Sequence, residues 1–353
     1  MPIIIPEEQS KEYVSLIFQK VGAKKEDADI MGDHLTMSEM RGVYSHGLSR
    51  IPIYTQRLEL GGFNANPKMK IINDYPGSFF LDADRSFGPV SGKYAMDILV
   101  EKAKTTGFAS AVITNANHWG FLGYYPLMAL EHDMVGFAFC NAKSTTSIYG
   151  SPFRFVGTSP MSVAIPAGKC LPIVYDAASS EVAMGKVSVA NLEGRPIPDQ
   201  WSYDKHGKAT TDPAEALFGG CMRAFGGYKG SGIAILISAL SSALTAMPND
   251  FKNDDSDLAF GNNVGGILQV IDISKFRDID GFKAQVDEFI LAAKSQPKGE
   301  GVEEIYMPGE IEFNKVRAFR EQGGFEVGPA LFKALKDAAE KYGLDYDFSG
   351  WER

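Results

Sequence analysis

The pattern of hydrophobic and polar positions divides the chain into helical and mixed regions. About the first seventy residues have the pattern of helices, and three are predicted, at EEQSKEY and the residues after it, at KKEDADIMGDHLTMSEM and at IPIYTQRLEL. Pro6 and the two glutamates after it favour a helix start, because proline and acidic side chains suit the first turn. Gly61 and Gly62 indicate the end of the third helix.

From about Ser78 the pattern changes to strands that alternate with helices. Strands are predicted in SFFLDAD, FASAVITNAN, MVGFAFCNA, PMSVAIP, LPIVYDAA and GGILQVIDI. Helices are predicted at GPVSGKYAMDILVEKAKTTG, LGYYPLMALEHD and EVAMGKVSVANLEG, and the amphipathic segment ALFKALKDAAEKYG returns to helix towards the C-terminus. This alternation predicts an α/β fold in which helices cover mixed sheet layers.

Two apolar segments are candidates for a membrane span or a secretion signal, and neither has the required pattern. The run IAILISALSSALTAM, residues 233–247, is too short and too rich in serine to cross a bilayer, so it predicts a buried helix. The N-terminal MPIIIPEEQSKEY lacks the basic residues and the small-residue cleavage site of a signal peptide. We therefore expect a cytoplasmic protein without a membrane partner.

Composition narrows the classes of function. The 353 residues include 44 acidic and 35 basic side chains, a net charge of -9, with no lysine- or arginine-rich run, so a nucleic-acid partner is not expected. Three widely spaced cysteines without a Cys-x-x-Cys pair favour a reducing compartment. The five histidines lack metal-ligand spacing, and neither the Rossmann pattern G-x-G-x-x-G nor the hydrolase pattern G-x-S-x-G occurs.

The segment GVYSHGLSRIPIY, residues 42–54, is the first candidate site. Pro52 suits the first turn of a helix, and Ser49 is predicted to cap that helix. His46, Arg50 and Tyr54 would then converge on one cleft, where arginine can hold a carboxylate and histidine can transfer a proton. Alternatively, the segment is a surface loop whose serine and arginine only cap the helix, and spacing alone slightly favours this alternative because single histidines and arginines near helix starts are common.

The segment AVITNANHWGFLGYY, residues 111–125, is the second candidate site. His118 lies just beyond the carboxyl end of a predicted strand, which is the edge where open α/β sheets bind ligands. It is therefore a candidate acid or base, and a histidine that caps the following helix is the alternative. Trp119 and Tyr125 are expected to pack in the core, as is Cys140 in GFAFC.

The glycine-rich segment GGYKGSG, residues 226–232, is the third candidate site. Its glycines allow backbone N–H groups to approach an anion, and Lys229 adds a positive charge at the start of the predicted buried helix. The order of its residues differs from that of a phosphate-binding P-loop. A tight turn that lets helix and sheet pack closely is an equal alternative.

These segments, in this order, resemble the type 2 malate/L-lactate dehydrogenase family of 2-oxo-acid and imino-acid reductases. The matching motifs are GVYSHGLSRIPIY, NANHWGFLGYY, CNA, GTSPMSVAIP, VYDAASSEVAMGKV, GKATTDP, GGYKGSG and MPGE, so the resemblance covers nearly the whole chain. It implies a nicotinamide-binding fold that is not of the Rossmann type, with helical N- and C-terminal parts. Residues 1–75 with 275–353 are expected to form the helical part and some of the substrate pocket, and residues 76–274 the cofactor-binding α/β part.

The resemblance also implies roles for individual residues. Ser45, Arg50 and Tyr54 would line the substrate pocket, and His46 and His118 are both candidates for proton transfer. We favour His118 as the acid or base, because it follows a strand, and His46 as a polarising group or proton donor. The cofactor would lie along Asn141, Val174, Asp176, Ala177, Ala178, Ser179, Ser180, Tyr228, Lys229, Gly309 and Glu310.

The activity that the resemblance implies is hydride transfer between NAD or NADP and a small 2-hydroxy or 2-oxo acid. Malate with oxaloacetate, or lactate with pyruvate, is the first expectation. The family also handles ureidoglycolate, sulfolactate, diketogulonate and cyclic imino acids, and its members suggest a homodimer. The hypothesis from another class is a phosphate- or sugar-binding protein without redox chemistry, which would use GGYKGSG and Arg50.

Overall fold

All of the predicted helices are present in the protein. Its structure, a computed structural model, describes residues 3–253 and 256–351. The α-helices are α1 Glu7–Lys20, α2 Lys25–Met40, α3 Ile51–Glu59, α4 Gly88–Thr106, α5 Tyr124–Leu130, α6 Met184–Leu192, α7 Pro213–Leu217, α8 Tyr228–Thr245, α9 Ile279–Lys294, α10 Glu310–Gln322 and α11 Pro329–Lys341. Within the described ranges, no helix is both long enough and apolar enough to cross a membrane.

The strands form one large mixed sheet and two small ones. They are β1 Ile3–Ile5, β2 Lys70–Tyr75, β3 Ser78–Asp82, β4 Phe108–Ala116, β5 Met134–Cys140, β6 Thr146–Ser147, β7 Arg154–Val156, β8 Met161–Ile165, β9 Ile173–Ala177, β10 Ser202–Tyr203, β11 Cys221–Met222, β12 Val264–Asp272 and β13 Phe325–Val327. The seven-stranded sheet has the order β2-β3-β4-β12-β5-β8-β9, in which only β3 and β4 are parallel. The predicted mixed α/β fold is therefore confirmed.

The central strand of the large sheet packs against the loop that contains His118. β12 pairs antiparallel with both β4 and β5 and is buried along most of its length. Gly266 in β12 faces the ring of Trp119, and a Cβ at this glycine would collide with that ring. Trp119, the residue directly after His118, is only 2% exposed and packs against the middle of the sheet.

The two ends of the chain share one hydrophobic core. β1 pairs antiparallel with β13, and the rings of Tyr13 and Trp351 lie 5.4 Å apart. The buried residues of this core come from the N-terminal helices α1 to α3 and from the C-terminal segment that contains β13 and α11, whereas the large sheet has a core of its own. The part boundaries given from the sequence, near residues 75 and 275, stay a prediction.

A small lobe with a third core lies beside the large sheet. It contains the four-stranded sheet β10-β11-β6-β7 and a cluster around Val187, Ala190 and Met222. The sequence predicts only a polar loop for residues 195–213. The two-residue strands in this lobe are too short to show an alternating pattern, so their pairing had no signal in the sequence.

Helix α8 differs from the predicted buried helix. Small residues such as Ala234 and Ser241 face the protein interior, which lets the helix approach the sheet closely. On the opposite side Leu236, Leu240 and Leu244 are 59%, 46% and 54% exposed. The prediction of a buried helix is therefore wrong for one face of α8 in the single chain. The hydropathy of the segment does not show which faces of the helix are covered by the rest of the same chain.

Candidate active site

Two 3₁₀ turns join α2 to α3 and carry the first candidate motif. The predicted cap by Ser49 is wrong: its hydroxyl donates to the carbonyl oxygen of Tyr44 at 2.9 Å, and Arg50 occupies the N-cap position of α3. Pro52 lies in the first helical turn, as predicted. Because a 3₁₀ turn runs directly into α3, no extended residue is left to provide a side-chain cap.

The buried carboxyl group of Glu39 holds these two turns through a hydrogen bond. Glu39, near the end of α2, is 1% exposed, and its Oε1 accepts a hydrogen bond from the N–H of Leu48 at 2.8 Å. Gly47 passes so close that a Cβ there would collide with this carboxyl group. Burial raises the pKa of Glu39 to about 7, against the opposing effect of the Leu48 N–H. Glu39 thereby fixes the chain between His46 and Arg50.

His118 follows the carboxyl end of β4 and is held from three directions. Its Nδ1 lies 2.6 Å from the hydroxyl of Tyr54 on α3 and accepts the backbone N–H of Gly120 at 3.1 Å. The backbone N–H of His118 donates to Oδ1 of Asn262 at 3.2 Å, and the backbone N–H of Asn262 donates to Oδ1 of Asn117 at 2.7 Å. Residues far apart in the sequence therefore set the position of this imidazole.

The second histidine packs against the first. The rings of His46 and His118 are stacked, with centres 5.4 Å apart and planes inclined by 17°. Nδ1 of His46 lies 2.8 Å from Oγ of Ser45, and Nε of Arg50 donates to the carbonyl oxygen of Ser45 at 2.5 Å. With Tyr54 on the other side of His118, the structure brings together all five residues proposed for catalysis and substrate binding.

The surroundings of both imidazoles favour the neutral form of the ring. Loss of water around His46 lowers its pKa to about 3, and the charge of Arg50 acts in the same direction. Loss of water also lowers the pKa of His118 well below its ordinary value, helped by the charges of Arg50 and Arg57. A neutral imidazole has one N–H donor and one acceptor, so the pair can exchange hydrogen bonds with a ligand oxygen.

Arg50 is the positive charge closest to this pair along the motif. Its Nε is used by the Ser45 carbonyl oxygen, and it has no acidic partner in the part of the chain that the structure describes. The remaining N–H groups of a guanidinium form a planar fork that matches a carboxylate. The cluster can therefore bind an organic acid and exchange a proton with it.

Strand β9 and the residues after it, up to Ser180, contain most of the residues that the family resemblance assigns to the cofactor. We call this surface the wall. The N–H of Val174 donates to the carbonyl oxygen of Pro308 at 2.9 Å. This contact brings Gly309 against the strand, where a Cβ would lie 2.8 Å from Cβ of Val174. Gly309 has a φ of 87°, in the left-handed region that glycine adopts without strain. Only glycine leaves room for this close approach.

The wall continues from β9 to the start of α8. Ser180 forms an antiparallel β-bridge with the segment before α8, and the N–H of Phe225 donates to the carbonyl oxygen of Ser179 at 3.1 Å. Tyr228 and Lys229 are exposed in the first turn of α8, whose N-terminus has no side-chain cap. Unpaired N–H groups at a helix start, with a lysine beside them, suit a phosphate group.

Asp176 joins the wall to the loop of His118. Its Oδ2 accepts the N–H of Gly123 at 3.0 Å. Loss of water raises the pKa of this carboxyl group to about 6, although the Gly123 bond and the charge of Arg41 lower it, and the residue keeps an exposed part. Ala177 and Ala178 follow with small, partly buried side chains. Asp176 therefore links strand β9 to the loop that follows His118.

Two residues assigned to the cofactor do not present their side chains to this wall. Asn141 is fully buried, and its Oδ1 accepts the N–H of Gly265 at 2.8 Å. Glu310 pairs with Lys294 at 2.6 Å and accepts the N–H of Met307 at 3.0 Å. Their polar atoms hold neighbouring loops in place, so any contact with a cofactor would come from their backbone.

Three supporting residues were missed in the sequence. They are Glu39, Gly120 and His34, whose Nε2 accepts the N–H of Phe121 at 3.1 Å and whose ring fills the space that a Cβ on Gly120 would need. Glu39 and His34 lie on the buried face of α2 beside Leu35. A titratable side chain on the buried face of an amphipathic helix is the signal that the sequence contains for Glu39 and His34.

Comparison with known proteins agrees with this arrangement. A family model described as malate/L-lactate dehydrogenase matches residues 5–336. L-sulfolactate dehydrogenase of Methanocaldococcus jannaschii is 33% identical over 345 residues, which cover 98% of this chain and 99% of that protein. Malate dehydrogenase of Pyrococcus horikoshii is 31% identical over 351 residues, which cover 97% and 96%.

Solved structures give the same result. Sulfolactate dehydrogenase from Methanocaldococcus jannaschii superposes with a TM-score of 0.91 at 32% identity and covers 99% of both chains. Malate dehydrogenase from Entamoeba histolytica superposes with a TM-score of 0.93 at 25% identity and covers 98% of this chain and 99% of that one. Fold and sequence similarity thus define a dehydrogenase. The chain belongs to the malate/L-lactate dehydrogenase family.

Replacing Glu39 with glutamine should remove a pH dependence of stability. The pKa of Glu39 is raised from 4.5 to about 7 in the folded state, so the wild type loses stability as the pH rises through this interval. Between about pH 5 and about pH 8, the free energy of unfolding in urea should fall by roughly 2 kcal/mol more in the wild type than in Glu39→Gln. The exposed Glu326→Gln is the control and should follow the wild type. Equal pH dependence in all three proteins would contradict this assignment.

Proposed function

We propose that this enzyme transfers a hydride between a nicotinamide dinucleotide and the carbon beside the carboxylate of a small 2-oxo or 2-hydroxy acid, with oxaloacetate and malate as the first pair. The observation that carries the proposal is the cluster of Arg50 with two stacked imidazoles whose surroundings favour the neutral ring. Guanidinium holds a carboxylate through two parallel hydrogen bonds, and a neutral imidazole has one N–H donor and one acceptor for exchange with a substrate oxygen.

Each side chain of the cluster has a part in this reaction. Arg50 binds the carboxylate and so fixes the orientation of the neighbouring carbon, with Ser45 and Tyr54 completing the pocket. When bound, the nicotinamide supplies or accepts the hydride. His118 gives the proton to the oxygen of the substrate, and His46 donates a hydrogen bond that polarises the carbonyl group.

The wall along β9 is the proposed site of NAD or NADP. Gly309 keeps the backbone close to Val174, and the uncapped start of α8 with Lys229 offers donors and a positive charge to the phosphates. The half-buried Ala177 and Ala178 leave open space beside the strand. These features fit a dinucleotide. The assay described below compares NADH with NADPH and so distinguishes the two cofactors.

The names of the related proteins support a second candidate substrate. They include L-sulfolactate dehydrogenase and malate dehydrogenase, and both of these substrates are 2-hydroxy acids with a second acidic group. A relative that is 28% identical is named ureidoglycolate dehydrogenase. Sulfolactate with its 2-oxo acid is therefore the second candidate pair.

The proposal is tested by following the oxidation of NADH and NADPH by absorbance. The panel contains oxaloacetate, pyruvate, 3-sulfopyruvate, the oxidation product of ureidoglycolate, diketogulonate and one cyclic imine. We expect turnover with oxaloacetate, and the faster of the two cofactors identifies the physiological one. A folded protein that oxidises neither cofactor with any member of the panel would contradict the proposal, and stabilisation by sugar phosphates would then support a binding protein without redox chemistry.

Two arginine variants, one as the test and one as the matched control, examine the role of Arg50 in this assay. Arg50→Gln should lower kcat/KM for the 2-oxo acid by about 100-fold, because a charge-assisted fork to the carboxylate is lost. Arg317→Gln changes an exposed arginine on α10 and should have no effect. An Arg50→Gln enzyme as active as the wild type would remove this residue from substrate binding.

We also propose that the enzyme is a cytoplasmic homodimer. The three free cysteines suit a reducing compartment. The leucines exposed on one face of α8 form an apolar stripe, and an apolar stripe of this kind is typical of a subunit interface. The same stripe on a second copy would cover it around a twofold axis.

Light scattering tests the dimer with two substitutions. Leu240→Glu places a charge in the middle of the stripe and should shift the protein from dimer to monomer. Leu60→Glu introduces the same charge at a leucine that is 51% exposed elsewhere and should leave the dimer intact. A wild-type protein that is monomeric at micromolar concentration would contradict the proposal.

A further inference from the structure

Two hydrogen-bond donors meet at one nitrogen of His118. Nδ1 accepts the backbone N–H of Gly120 at 3.1 Å and lies 2.6 Å from the hydroxyl of Tyr54. A backbone N–H is a donor in every state of the ring, so Nδ1 carries no proton in the resting enzyme. The single proton of the neutral ring is therefore on Nε2, and the Tyr54 hydroxyl donates to Nδ1.

This tautomer limits how His118 can release a proton. Loss of water, together with the charges of Arg50 and Arg57, lowers the pKa of the ring well below its ordinary value, so the neutral ring is the favoured form. If a neutral ring lost the proton on Nε2 alone, it would become an imidazolate, which is a very unfavourable anion. Nδ1 must therefore take up a proton while Nε2 releases one.

Tyr54 is the group placed to supply that proton, because the backbone amide at Nδ1 does not release one. Tyr54 is 3% exposed, and its ring packs against Phe63 and Phe87 with centres 5.6 Å and 6.2 Å away, which holds the hydroxyl in place. Burial raises the pKa of this hydroxyl to about 12, and Arg50 and Arg57 oppose that rise. The two guanidinium charges thus favour a transient phenolate.

We propose that Tyr54 is a positioning residue that relays a proton through His118; this inference rests on the function proposed above. In reduction, the carbonyl carbon of the 2-oxo acid receives the hydride and its two electrons, and the carbonyl oxygen takes the proton from Nε2. At the same time Nδ1 takes the proton of the Tyr54 hydroxyl. The phenolate, stabilised by Arg50 and Arg57, regains a proton from water after the 2-hydroxy acid leaves. Oxidation moves each proton in the opposite direction.

The tautomer is measured first, in the protein without substrate or cofactor. Nitrogen NMR of ¹⁵N-histidine protein, with the His118 signals identified by their loss in His118→Gln, should show a proton on Nε2 and none on Nδ1. In Tyr54→Phe the Gly120 N–H is still in place, so the tautomer should be kept and only the Nδ1 signal should shift. A proton on Nδ1 of His118 in the wild type would overturn the relay.

Kinetics with the 2-oxo acid give the second readout. Tyr54→Phe should lower kcat by about 100-fold, the size of an acid–base contribution. KM should stay within about threefold, because Arg50 still binds the carboxylate. In mixtures of H₂O and D₂O, kcat should depend on the deuterium fraction along a curve in the wild type, where two protons move, and along a straight line in Tyr54→Phe, where one moves.

Tyr13→Phe is the matched control. Tyr13 is fully buried and its hydroxyl donates to the carbonyl oxygen of Leu335 at 2.5 Å, so this variant loses a comparable hydrogen bond away from the cleft. It should keep the wild-type kcat and the curved isotope dependence. A Tyr54→Phe enzyme with wild-type kcat, or a straight line in the wild type, would overturn the relay in an active enzyme. Absence of all turnover in the wild type would overturn the proposed function itself.

Discussion

The hydrogen bond between Tyr54 and His118 joins two parts of the protein that have separate cores. Tyr54 packs in the core shared by the two ends of the chain, whereas Trp119, directly after His118, packs in the core of the large sheet. The active cluster lies where these cores meet. Its geometry therefore depends on both parts being folded, and a change in how they dock would reach His118 without any change in the motifs.

The titratable groups beneath the cluster are kept largely without charge. Burial lowers the pKa of His34 to about 3 and raises that of Glu39 to about 7, so neither carries a full charge in slightly acidic to neutral solution. An unpaired buried charge would be costly, and it would also compete with the substrate for Arg50. The neutral surroundings leave the guanidinium as the dominant charge offered to an organic acid.

The sequence predicted most of the fold because its large elements have strong local patterns. Six of the seven strands of the large sheet stand out as short apolar segments, and the residue after helix α4 is Gly107, which adopts the left-handed conformation. The two-residue strands of the small lobe have no such pattern. The outer face of α8 was misjudged, because a leucine covered by its own fold and one covered by a second copy look the same in the sequence.

The candidate residues were also found from local motifs, but their contacts were not. Tyr54 and His118 are separated by 64 positions, and no spacing rule links them. The pairing arises from the docking of α3 against the end of β4, which is a property of the folded chain. Glu39 and Gly120 show the same limit, since their importance lies in what packs against them.

The most direct test of this account is the fate of the transferred hydrogen. Reduced nicotinamide dinucleotide that carries deuterium at C4 is mixed with a 2-oxo acid and an equimolar amount of the enzyme, and the product is analysed by NMR and mass spectrometry. The account predicts a 2-hydroxy acid with deuterium on the carbon beside the carboxylate. A folded enzyme that gives no deuterated product with either C4 epimer of either cofactor would contradict it.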